Sequence, residues 1–125
     1  MTATLVAFLK ARLDEDERVA RACAGDGTWT VKGLEVYAPD LSDDVRTQAA
    51  RQDPARTLRE AEAKRQLLDE HQNINDGSCG TCVDGKWGYP THGGSVPQSY
   101  PCRTLRLLAL PYSSHPEYEE ALAGG

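Results

Sequence analysis

Aromatic and sulphur-rich core material is scarce in this chain, whose 125 residues include one Phe, one Met and two Trp. Any core must therefore come mainly from Leu, Val, Ala and Tyr, with the tryptophans. Long hydrophobic runs are missing too. Runs such as Leu107-Leu108-Ala109-Leu110 fall far short of the ~20 apolar residues that a membrane helix needs. Met1 to Leu9 has neither the basic start nor the long apolar stretch of a secretory leader, so a cytoplasmic protein without membrane contact is expected. Positive charge is also short. Fourteen Lys and Arg face nineteen Asp and Glu, a net charge of −5, which disfavours general binding to nucleic acid. No internal repeat and no long linker divides the chain, so residues 1–125 read as a single domain with one modest core.

What the chain does have is a cysteine cluster. Of its four cysteines, Cys79, Cys82 and Cys102 fall within 24 residues, while Cys23 stands apart. In a reducing compartment such clustering favours metal ligation over disulfides. Cys79-Gly80-Thr81-Cys82 is a C-x2-C pair set among glycines, and a tight turn there can aim both thiolates at one point. Cys102 supplies a third thiolate. A structural zinc ion takes four ligands, so a histidine should complete the set. His71 lies three and four residues beyond Leu68 and Leu67, on the inward side of a helical stretch. His92 lies in Pro90-Thr91-His92-Gly93-Gly94, with nothing to aim it. A ligand on a helix end loses less entropy on binding than one on a loop, which favours His71 over His92. The expected cofactor is structural Zn2+ held by His71, Cys79, Cys82 and Cys102. Residues 73–102 hold six of the eleven glycines and three of the seven prolines, and metal binding would supply the folding energy such a segment lacks.

The remaining patterns are mostly helical. Leu5, Leu9 and Leu13 repeat every four residues and predict a helix over 3–23. Two short extended runs flank Lys32-Gly33 and predict a β-hairpin over 28–37. Ser42 followed by two aspartates, and Asp53-Pro54, read as two helix starts, giving two helices within 42–72. Residues 73–102 form the zinc loop, and 103–122 the carboxy-terminal helices, interrupted at Pro111. The fold class expected is α+β, mainly α: a small helical body with a short β-hairpin and a zinc-stapled glycine-rich loop.

The strings FLKARLDEDERVAR (8–21), ARTLREAEAKRQLLDEH (55–71) and YPCRTLRLLALPYSSHPEY (100–118) resemble a family of small uncharacterised proteins of actinobacteria and their phages. That resemblance implies zinc binding by the matching positions His71, Cys79, Cys82 and Cys102, and it implies no activity. Arg103 departs from the proline that often follows the cysteine in that family.

Three function classes compete. An enzyme is disfavoured, because three thiolates and an imidazole leave no open position for a catalytic water. A deaminase signature is absent as well: Ser78 rather than proline precedes the pair, and His115-Pro116-Glu117 follows the cysteines instead of preceding them. A zinc-stapled, helix-turn-helix-like DNA-binding regulator is the alternative reading, with Arg51, Arg56 and Arg59 as its basic edge and Arg46 nearby. Interleaved acids count against it. The leading expectation is a small zinc-binding accessory or regulatory protein that acts through protein–protein contacts. Its anchors would be Trp87, Tyr89 and Tyr100, which lie among Gly and Pro near the cysteines.

Overall fold

A computed structural model describes residues 4–23, 25–84 and 96–124. Along the chain run helices α1 (Leu5–Ala22), α2 (Val31–Tyr37), α3 (Asp43–Arg51) and α4 (Pro54–Glu70). Strands β1 (Asn73–Ile74), β2 (Ser78–Asp84) and β3 (Val96–Ser99) follow. Helix α5 (Arg103–Ala109), a 3-10 turn at Leu110–Tyr112 and α6 (Tyr118–Gly124) complete the order. The fold is thus mainly helical with one small antiparallel sheet. Among the described residues no helix is long and apolar enough to cross a membrane. Contacts group the chain into two compact units, Met1–Arg12 with Lys64–Gly125, and Leu13–Ala63.

The first unit is built around the single phenylalanine. Phe8 is buried, and the rings of His115, Tyr118 and Tyr112 meet it edge-on at centroid separations of 5.3, 6.3 and 6.4 Å. Edge-to-face packing suits the ring quadrupole, negative on its face and positive at its edge. The Arg12 guanidinium lies over the Phe8 ring and the Lys64 ammonium over that of Tyr112. Leu5, Leu9, Leu68, Leu105, Ala109 and Ala121 are buried as well. The sheet has the order β1-β2-β3, antiparallel throughout. Asn75 and Asp76 turn β1 into β2, both with positive φ, and Gly77 N–H donates to the Ile74 carbonyl. Two left-handed residues in succession make the mirror-image turn that matches strand twist, and Asn and Asp tolerate that conformation.

The second unit corrects the hairpin expected at 28–37. Residues 31–37 are helical, and Thr30 caps them, its hydroxyl accepting from Gly33 N–H at 3.0 Å. Thr28-Trp29-Thr30-Val31 resembles a strand by composition, yet a threonine three residues before a free N–H is also a helix start. Gly33, moreover, does not take the positive φ that a two-residue hairpin turn would need. The antiparallel pairing lies instead at 73–99. Ser42 caps α3, accepting from Val45 N–H. Asp53 caps α4: one carboxylate oxygen accepts from Arg56 N–H at 2.8 Å, and the other from Trp29 N–H at 3.1 Å. One side chain therefore both starts α4 and fixes the backbone ahead of α2. The two N–H groups hold the Asp53 carboxyl below its ordinary range, with Arg59 and Arg56 adding to the effect. Arg46, grouped with the basic residues by sequence, is buried. It donates to the Ala38 and Leu41 carbonyls and pairs with Asp43 and Glu35, bracing the α2–α3 connection.

Candidate metal centre

Three elements deliver the four residues picked out by spacing. Helix α4 ends at Glu70, and His71 follows on its last turn, its N–H shared between the Leu67 and Leu68 carbonyls at 3.2 Å each. The ring is carried inward and is buried. Cys79 and Cys82 lie in β2. In a regular strand, residues three apart point to opposite faces, which would split the pair. The pairing of β2 with β3 is irregular between Ser78 and Val83, and this local bulge lets both sulphurs face one side. Cys102 occupies the N-cap position of α5 and is buried.

The ligand atoms converge. His71 Nδ1 lies 3.5 Å from Cys79 Sγ and 3.4 Å from each of Cys82 Sγ and Cys102 Sγ. All four ligand atoms are within 4.8 Å of one another. Tetrahedral zinc bonds, about 2.0–2.1 Å to nitrogen and about 2.3 Å to sulphur, would set nitrogen and sulphur roughly 3.5 Å apart. The three observed separations meet that spacing.

The surroundings suit anionic sulphur. Thr81 N–H and Cys82 N–H donate to Cys79 Sγ at 3.5 and 3.4 Å. The Thr104 hydroxyl lies 3.7 Å from Cys82 Sγ. Burial pushes the Cys79 thiol up, but those two N–H groups and the His71 ring outweigh it and bring it to about 7. Burial pushes the Cys102 thiol up to about 11, and its neighbours Cys79 and Cys82 act in the same direction. Three sulphurs so close together cannot all ionise cheaply on their own. A divalent cation removes that obstacle, since coordination deprotonates a thiol outright. The donor set therefore fits a soft tetrahedral ion, bound as Cys3His.

Several supporting residues escaped the sequence reading. The Thr81 hydroxyl donates to the Glu70 carbonyl, tying the C-x2-C turn to the end of α4. Gly80 N–H donates to the Gln72 carbonyl at 2.9 Å. The Gln98 side chain donates to the Val83 carbonyl and accepts from Arg103 N–H, linking β2 to the first turn of α5. Arg106 Nε donates to the Pro101 carbonyl, steadying the segment that carries Cys102. The sequence signal nearest to them is Asn75-Asp76-Gly77, a turn sequence that announces strand pairing.

The other expected site residues fare differently. Tyr100 sits by the cluster: burial, then the Cys102 and Cys79 sulphurs, raise its phenol above the ordinary range. Trp87, Tyr89 and His92 lie outside the described residues. Arg51 ends α3, and Arg56 and Arg59 are exposed on α4. Arg56 is engaged locally, 2.7 Å from Glu60 and donating to the Arg51 carbonyl.

Comparison with curated proteins and with solved structures gave no match. A family of unknown function, DUF6221, has a model that matches residues 2–123, and on that match, which spans almost the full length, this chain belongs to the family.

Proposed function

We propose that the protein is a small accessory or regulatory protein of the cytoplasm, acting through protein–protein contacts, with a structural zinc ion held by His71, Cys79, Cys82 and Cys102. The observation that carries the metal reading is the near-equal spacing of three sulphurs around His71 Nδ1. Such an ion would supply cross-linking and folding energy. Its role is structural because three thiolates and an imidazole fill a tetrahedral shell and leave no place for a reacting water; the proposal is therefore of a non-enzyme. The metal would join the end of α4, the turn in β2 and the start of α5, and Tyr100, beside the cluster, would belong to the contact surface. Two observations weigh on the DNA-binding alternative. Arg46 is buried among carbonyls and acids, and Arg56 is paired with Glu60, so the basic edge is reduced to Arg51 and Arg59.

Purified protein should hold one zinc per chain by elemental analysis, and Cys82→Ser or Cys102→Ser should remove it and lower the melting temperature. Well under one equivalent of zinc in the unmodified protein would overturn the metal reading. For the interaction reading, affinity capture from the native host should recover a partner that is lost on chelation. A sequence-specific DNA complex that persists at physiological salt would replace it.

A further inference from the structure

Residues 13–63 hold twelve acidic and seven basic residues, so the whole net charge of −5 falls in this unit, and the rest of the chain is balanced. On this unit lies a hollow of about 520 Å³, lined by Trp29, Leu34 and Tyr37 together with Cys23 and Asp26. A smaller hollow of about 300 Å³ shares Trp29 and Cys23 and is bordered by Glu15 and Asp16. The larger one has the size and the mostly apolar lining, with few polar groups, typical of binding sites. Its walls are held in place before anything binds. Asp53 fixes the Trp29 backbone, and the Thr30 cap sets α2 so that Leu34 and Tyr37, three apart, share a face. Helix α2 buries none of its residues: Tyr37 is 87% and Val36 80% exposed. Leu41 and, in α3, Val45 are exposed apolar side chains as well.

We propose that this hollow is a docking site for a basic, apolar-flanked segment of a partner protein, with a Lys or Arg side chain seated between Trp29 and Tyr37 near Asp26. Aromatic faces attract a cation, a carboxylate reinforces the attraction, and the aliphatic stem of Lys or Arg covers apolar wall. Val36, Leu41 and Val45 are exposed apolar side chains outside the hollow's lining, and an apolar-flanked peptide would use them where a small ammonium compound would not. A second copy of the chain would bring two like-charged units together, which like-charge repulsion opposes. This inference rests on the protein-interaction reading and names its surface and the chemistry of its partner.

The probe is a short fluorescent peptide of Leu, Lys and Arg, compared with a twin in which Glu replaces each basic residue, titrated by anisotropy at about 0.15 M salt, where exposed charges are screened beyond ~8 Å. The basic peptide should bind and its twin should not. Tyr37→Ser and Asp26→Asn should each weaken binding by about tenfold, a typical effect for an anchor residue. Tyr37 is so exposed that its replacement removes little buried contact, and it leaves the net charge unchanged, so it separates a shaped site from mere acidic attraction. Equal binding of the twins, or unchanged binding by Tyr37→Ser, would overturn the proposal. So would full competition by free tetramethylammonium, or a dimer in sedimentation that Tyr37→Ser abolishes, which would give the surface to a small cation or a second copy. If a host partner is captured as strongly by Tyr37→Ser as by the unmodified protein, this surface fails while the interaction reading stands.

Discussion

His71 and His92 are the residues on which the metal assignment turns. His71 Nδ1 meets three sulphurs at 3.4–3.5 Å, on a ring held by the last turn of α4. His71→Ala should therefore speed release of zinc to a chromogenic chelator far more than His92→Ala. Faster release from His92→Ala alone would move the fourth ligand to the other histidine. A second prediction belongs to Asp53. Its carboxyl is held below the unfolded value of about 3.9 by N–H donors present only in the folded chain. The ionised form is thus favoured by folding, so its stabilisation is complete above about pH 4 and is lost as pH falls through the lowered folded value. Asp53→Asn keeps one acceptor oxygen but loses the charge and cannot serve both N–H groups as an acceptor. Denaturant titrations should find the unmodified protein more stable than Asp53→Asn at neutral pH, with the gap closing on acidification. A gap independent of pH would refute the linkage. Asp53 as a cap was legible from Asp53-Pro54; its bond to Trp29, 24 residues away, was not.

At the scale of elements, the start of α5 carries most of the site's precision. It places Cys102 at the N-cap and Thr104 against Cys82. Groups around a metal's ligands orient them and tune their basicity. Thr104→Val keeps the shape of the side chain and removes the hydroxyl, so zinc affinity should fall by roughly tenfold while the helical circular dichroism stays the same. An unchanged affinity would show that the hydroxyl plays no part. Elements also separate what periodicity reveals from what it hides. Leu5, Leu9 and Leu13 disclosed α1 because an 18-residue helix with one buried side leaves a repeating trace. Helix α2 has seven residues and none buried, so it leaves no such trace, and β-prone composition pointed to a hairpin instead.

For the whole molecule, the candidate metal centre lies entirely within the unit formed by Met1–Arg12 and Lys64–Gly125. Chelation should consequently act unevenly. Hydrogen exchange in the chelated protein should quicken most in β2 and in Arg103–Ala109, which the ligands staple, while amides of Asp43–Arg51 keep their protection. Uniform loss of protection would show that metal holds the whole fold together.

Sequence alone names the candidate ligand types, since C-x2-C, a third cysteine and a histidine at a helix end state their chemistry through residue identity and local spacing. It also determined α1, the caps at Ser42 and Asp53 and the mainly helical class, which depend on nearest turns. The folded chain settled how Cys79 and Cys82 come to face one side, because that requires a pairing irregularity set by β3, about 15 residues away. It decided likewise that Arg46 is buried and that Trp29 and Tyr37 wall a hollow on the acidic unit. Those outcomes depend on partners distant in sequence, and periodicity within one element carries no record of what lies across from it.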